Sequence, residues 1–194
     1  MPTNRKKELG NLLRQHSLCK LLLLLLGFWL ILSLLGRDFL SDSGFGIWTG
    51  AWTKDTSQWI ADPYTFSHLL HGILFYWLLH PARRMLTAKR RIMIAILIEA
   101  GWEILENTPY VIDRYRQATA SLDYYGDTIL NSTFDIIAAM LGCWLAWKVN
   151  WKWVLLLVVA IELLLAYFVR DNLTLNILML FYPLESIKEW QLGR

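Results

Sequence analysis

Apolar residues fall in long runs along this chain. Leu18 to Leu35 is almost unbroken hydrocarbon, and five further apolar stretches follow at about 64–80, 92–107, 128–149, 151–169 and 173–187. An α-helix rises about 1.5 Å per residue, so about twenty apolar residues cross a hydrocarbon layer about 30 Å thick. The pattern therefore predicts an all-α fold, a polytopic transmembrane helical bundle of about six spans. Glu99, Glu103 and Glu106 interrupt the third span. The sixth is short and contains Pro183, which predicts a tilted or re-entrant segment. A basic N-terminal segment, residues 1–17, precedes a single transmembrane domain over residues 18–194. The first leucine run is followed by Gly36-Arg37-Asp38 and not by a small-x-small cleavage site, which predicts a retained anchor helix.

Composition agrees with lipid as the solvent: 56% of residues are hydrophobic and only 18% are charged. A net charge of +3, with no zinc-finger spacing or basic-aromatic stripe, argues against a nucleic-acid partner. Cys19 and Cys143 both lie in apolar stretches, where cysteine is an ordinary small hydrophobe, so no disulfide framework is expected.

The basic residues orient the chain. With the N-terminus inside, the inner segments hold Arg5, Lys6, Lys7, Arg14 and Lys20; Arg83, Arg84, Lys89, Arg90 and Arg91; Lys148 and Lys152; and Lys188 and Arg194. Of the 19 Lys and Arg residues, only Arg37, Lys54, Arg114, Arg116 and Arg170 fall outside. This positive-inside bias predicts a multi-pass protein with both termini in the cytoplasm. Trp144, Trp147, Trp151 and Trp153 bracket the inner turn between spans four and five, where aromatic belts sit. Phe45, Trp48, Trp52 and Trp59 recur at roughly helical spacing in the first outer loop, which predicts a short surface helix there.

The residues that carry chemistry are those out of place in hydrocarbon, where an Asp, Lys or Arg costs roughly 2.5–3.5 kcal/mol at a helix centre. Such groups face cavities or one another. Span two carries His68 and His71 on one face; span three carries Glu99, Glu103 and Glu106; span four opens with Asp127, Asn131 and Asp135. In the predicted orientation these stripes share the outer half of the bilayer and describe a pocket that opens outward.

Two imidazoles with several carboxylates form a ligand set for a divalent metal (zinc, manganese or iron), with His68, His71, Glu103 and Glu106 as candidate ligands. Glu99, Glu103, Asp127 and Asp135 are candidate acid–base groups. Arg114, Arg116, Arg170 and Asn131 are candidate contacts to an anionic, lipid-like envelope substrate. The reading is an envelope-facing enzyme or binding protein in contact with membrane lipid. A small transporter or proton-coupled carrier, and a structural membrane subunit whose polar groups tie helices together, are the alternatives. Mid-helix Glu99 and Glu162, each followed by an Asn pattern (Asp127/Asn131 and Asn172/Asn176), form a faint internal echo.

Asp62-Pro-Tyr-Thr-Phe-Ser-His-Leu-Leu-His-Gly72, Ile98-Glu-Ala-Gly-Trp-Glu-Ile-Leu-Glu-Asn107, Val111-Ile-Asp-Arg-Tyr-Arg116, Leu122-Asp-Tyr-Tyr-Gly-Asp127 and Val169-Arg-Asp-Asn-Leu-Thr-Leu-Asn176 resemble an uncharacterised family of alphaproteobacterial-type integral membrane proteins of unknown function. The resemblance covers about residues 60–190 and implies a multi-pass inner-membrane protein without implying an activity. A fainter likeness is to VanZ-like membrane proteins, carried by Asp62 with His68, Glu103, and Asp127 with Asn131 and Gly142. Here the Asp-to-His spacing is longer, and no glycine stands just after Asn131. That likeness implies an envelope-glycopeptide role.

Overall fold

A computed structural model of the chain describes residues 3–193, with side chains from residue 19 onward. The charges expected inside at Arg5, Lys6, Lys7, Arg14 and Arg194 lie outside the described side chains. The described fold is all helical: α1 (Thr3–Leu34), α2 (Thr65–Leu78), α3 (Ala88–Glu106), α4 (Pro109–Ala118), α5 (Ile129–Lys148), α6 (Trp151–Phe168), α7 (Leu173–Phe181) and α8 (Glu185–Gln191). Two of them, α5 and α6, are long and apolar enough to cross a membrane, and Cys19–Leu34 of α1 is a shorter apolar segment.

Polar caps set most helix starts. The side chains of Thr87, Thr108, Thr128, Asn150 and Asn172 each accept a hydrogen bond from a backbone N–H in the first turn of α3, α4, α5, α6 and α7. Each cap satisfies a donor that the helix itself leaves free. Pro109 follows its cap at a position where no N–H is needed.

The centre of the fold is the crossing of α2 and α5, with α3 packed against both. The crossing is made at backbone contact. A Cβ on Gly72 would collide with the carbonyl of Ala139, and one on Gly142 with the carbonyl of Leu69. Cys143 Sγ sits 3.2 Å from the Gly72 carbonyl oxygen in the same seam. Small residues allow this approach, and dispersion between close backbones replaces the large side chains that would otherwise hold the helices apart. Helix α1 joins through Phe28 and Leu32, which bury against Ile129, and Trp29 Nε1 donates to Thr133 Oγ1 at 3.0 Å. Helix α6 buries only Val154 and Leu165, leaving Leu155, Leu156, Leu163, Leu164, Tyr167 and Phe168 exposed.

Three expectations need correction. First, residues 37–61 contain no helix. Ile60 N and Ala61 N donate back to Gly46 O and Ile47 O at 3.1 Å, and the Trp59 ring occupies the space a Cβ on Gly46 would need. The tryptophan spacing there reflects turns, not a surface helix. Second, the segment between the third and fourth apolar stretches, where the apolar pattern predicts no element, contains α4. Third, the end of the described chain is not at the opposite end from the polar stripes. Helix α7 is only nine residues long, the helix stops before Pro183, and α8 turns back. Gln191 Nε2 donates to Asp171 Oδ1 at 3.1 Å, Arg170 Nη1 to Trp190 O at 3.2 Å, and Lys188 Nζ to Gln117 O at 2.7 Å. Lys188 therefore stands beside α4 at the end where α6 finishes and α5 begins, and α7 and α8 form a hairpin.

Candidate functional site

Where α2, α3 and α5 meet, their polar stripes converge. His68 Nδ1 lies 2.7 Å from Glu99 Oε1 and 3.0 Å from Glu103 Oε1, and His71 Nδ1 lies 3.1 Å from Glu99 Oε2. From α5, Asp135 Oδ2 approaches His68 Nε2 to 3.9 Å. Glu99 and Glu103 have no exposed surface. The ring of His71 stacks on Phe75 and meets Trp102 edge-on, which fixes its plane.

Two triads could hold a cation. His68, His71 and Glu99, and His68, Glu103 and Glu106, each place one ligand atom per residue within 4.8 Å of the others. Glu103 Oε2, Glu106 Oε2 and Asp135 Oδ1 are buried with no hydrogen-bond partner, and Glu103 Oε1 and Glu99 Oε2 meet only the ring nitrogens of His68 and His71. A buried carboxylate oxygen without a donor costs free energy unless a cation or a proton meets it. The donor chemistry of imidazole with carboxylate suits zinc, manganese or iron.

Above this cluster is a cavity of about 480 Å³, lined by His68, His71, Glu106, Asp127 and Asp135 together with Tyr64, Tyr124 and a long set of apolar side chains. Asp127 is held at its rim. Asn107 Nδ2 donates to Asp127 Oδ2 at 2.7 Å, Asp127 N donates back to Asn107 Oδ1 at 2.7 Å, and Tyr124 OH donates to Asp127 Oδ1 at 3.0 Å. Burial pushes the Asp127 carboxyl above the usual range, against the lowering effect of the Asn107 bond. Asp62, also raised by burial, accepts from Ser57 N and Tyr64 N at 2.7 Å and shapes the turn into α2. Trp52 and Ser57 line the same cavity in the left-handed backbone region, φ 61° for each, conformations that side chains other than glycine occupy at a cost.

Other candidates from the sequence sit elsewhere. Asn131 Nδ2 donates to Trp59 O at 2.8 Å and ties α5 to the 37–61 loop. Arg114 Nε donates at 2.8 Å to Leu180 O near the end of α7, and Arg170 serves Trp190 O near the end of α8. Arg116 pairs with Asp113 at 3.5 Å and lies over the Tyr125 ring. None of these arginines lines the cavity, and among the described residues no Lys or Arg does. Arg114 and Arg170 cap helix carbonyls, where a cation also meets the negative end of the helix dipole. Sequence reasoning missed Asn107, although it continues the α3 stripe four residues after Glu103. It also missed Trp102, the aromatic wall beside His71.

A family described as "Protein of unknown function (DUF2585)" matches residues 32–193. The chain belongs to this family. Its relatives include the UPF0314 protein R03235 of Rhizobium meliloti (strain 1021), 45% identical over 84% of each chain. A second, from Sinorhizobium fredii (strain NBRC 101917 / NGR234), is 46% identical over 82% of each chain. The UPF0314 protein of Paracoccus denitrificans (strain Pd 1222) is 42% identical over 88% of this chain and 89% of its own. No solved structure matches. The alphaproteobacterial family expected from the motifs is thus the family found, and it brings no activity with it.

Proposed function

We propose that this DUF2585 protein is a multi-pass protein of the bacterial inner membrane whose His/Glu cluster is a divalent-metal centre serving chemistry on an amphiphilic envelope substrate. In this reading α1, α2, α3, α5 and α6 cross the bilayer, and the α7–α8 hairpin dips in from the outer face and returns to it. The large apolar surface of α6 supports lipid contact, as does the inner-end cluster of Arg83, Arg84, Lys89 and Arg90. The observation that carries the metal assignment is the convergence of Glu99, Glu103 and Glu106 on the imidazoles of His68 and His71, with Glu103 Oε2 and Glu106 Oε2 buried and left without a hydrogen-bond partner.

His68, Glu99 and Glu103 would hold the ion, with His71 and Glu106 completing the set. A metal so bound would supply Lewis acidity to a phosphoryl or carbonyl oxygen and would lower the pKa of a bound water. The chain's own residues provide the rest. Asp127, clamped by Asn107 and Tyr124, stands at the rim as a proton carrier. Asp135 faces the second nitrogen of His68 and orients that ring. Among the described residues the cavity lining has no Lys or Arg, so charge to meet an anionic group would come from the imidazoles of His68 and His71 or from a bound ion.

Metal analysis of detergent-purified protein tests the reading. The expected result is about one or two equivalents of zinc, manganese or iron in wild type, lost in His68→Ala and Glu103→Ala. A wild-type protein that is metal-free and cannot be reconstituted removes the metal centre.

A further inference from the structure

The cavity is longer than its polar floor requires. One face of α2 lines it from end to end, through Tyr64, Ser67, His68, His71, Leu74, Phe75 and Leu78. At about 1.5 Å per residue, His68 to Leu78 spans about 15 Å. Polarity changes once along that line: titratable groups cluster at the α2 start, and beyond His71 the α2 lining is wholly apolar. On α7 the lining runs from Leu173 through Asn176 to Ile177, Leu180 and Phe181, so its far end is apolar as well. The apolar end is open, since Leu78 is 73% and Phe181 79% exposed.

We infer that the groove between α2 and α7 takes one hydrocarbon chain of a bilayer lipid, which enters sideways from the membrane and brings its headgroup against the His/Glu cluster. The inference deepens the proposed function and rests on its amphiphilic substrate. A polar ligand from the periplasm would leave the Leu74–Leu78 wall without an occupant. An amphiphile matches both ends of the groove: its headgroup meets the polar end and its chain the exposed Leu78 and Phe181. Sideways entry needs no opening of the 37–61 loop, which hydrogen bonds hold to α5 and to the end of α6. Trp52 Nε1 donates to Val169 O at 2.9 Å, and Thr128 N to Ser57 O at 3.0 Å.

The test uses full-length protein in phosphatidylcholine vesicles doped with a phospholipid that carries a photoreactive diazirine at its chain end. Labelling should concentrate on Leu74–Leu78 of α2 and Ile177–Phe181 of α7, above the level on the lipid-facing Leu163–Phe168 of α6. Ile177→Trp and Leu78→Trp, both at exposed positions, should remove the groove label and leave the α6 label unchanged. Equal labelling of groove and α6, or labelling that survives both variants, overturns the inference. So does efficient dimer formation between cysteines placed at Leu78 and Phe181, which would mean that a second copy fills the groove. Metal content measured on the same samples separates the two readings: groove labelling in a metal-free protein sustains the lipid site alone, and bound metal without groove labelling sustains the centre alone.

Discussion

Helices α3 and α6 run toward the same end of the molecule, and both place glutamates among apolar residues, yet the glutamates do different work. Glu162 of α6 accepts from Leu173 N at 3.1 Å and Thr174 N at 3.2 Å, and its backbone carbonyl accepts from Asn172 Nδ2 at 3.1 Å. It is a cap that joins α6 to α7. Glu99 and Glu103 of α3 meet imidazoles instead of backbone donors, and Glu103 Oε2 has no partner at all. What separates the two kinds of carboxylate is therefore the partner. A backbone donor completes a carboxylate, whereas a titratable ring with spare oxygens leaves room for an ion or a proton. The internal echo between Glu99 and Glu162 is one of sequence pattern and not of role.

The harshest way to break this contrast is to disturb the surface on which the α3 carboxylates depend. Gly72→Val should drive its side chain into the Ala139 carbonyl, costing about 3 kcal/mol or more. It should abolish metal retention and lower the thermal midpoint in detergent, because α2 could no longer seat against α5. Next, Glu162→Ala should cost about 1–2 kcal/mol, the size of a lost helix cap, while metal content stays at the wild-type level. Metal loss in that variant would mean that α6 takes part in the centre.

The gentlest test concerns Asp171, which joins the two halves by accepting from Tyr64 OH at 3.2 Å and from Gln191 Nε2 at 3.1 Å. Burial raises its carboxyl from an ordinary 3.8 to about 7. A raised folded-state value means that the folded protein holds the proton more tightly. That contribution is complete below about pH 4, declines as pH rises, and is gone above about pH 7. The midpoint of unfolding should fall across this window in wild type and fall less in Asp171→Asn. A pH profile identical in the two proteins would show that Asp171 is not the group that titrates.

Much of the centre could be read from the chain because helical periodicity aligns residues three and four apart whatever else the fold does. His68 with His71, and Glu99 with Glu103 and Glu106, share faces by geometry alone, and only the crossing partners remained to be found. Charge counting was a poorer guide at the end of the chain. Lys188 reads as an inner anchor, but its ammonium meets the Gln117 carbonyl, so α8 returns to the pocket end. Arg114 looks like a substrate contact for a similar reason: a cation's charge is visible in sequence, and the carbonyl it serves is 66 residues away. The tryptophans of the 37–61 loop imitate a helix because turns can repeat aromatic residues at the same interval.

The glycine seam also constrains how the protein is made. The contact between Cys143 and Gly72 joins residues 71 positions apart. A ribosome must therefore complete α3, α4 and most of α5 before α2 has its partner. Until then the histidines of α2 and the glutamates of α3 must wait for the helix that encloses them. A nascent chain stopped short of Gly142 would carry the His/Glu residues without the seam that encloses them.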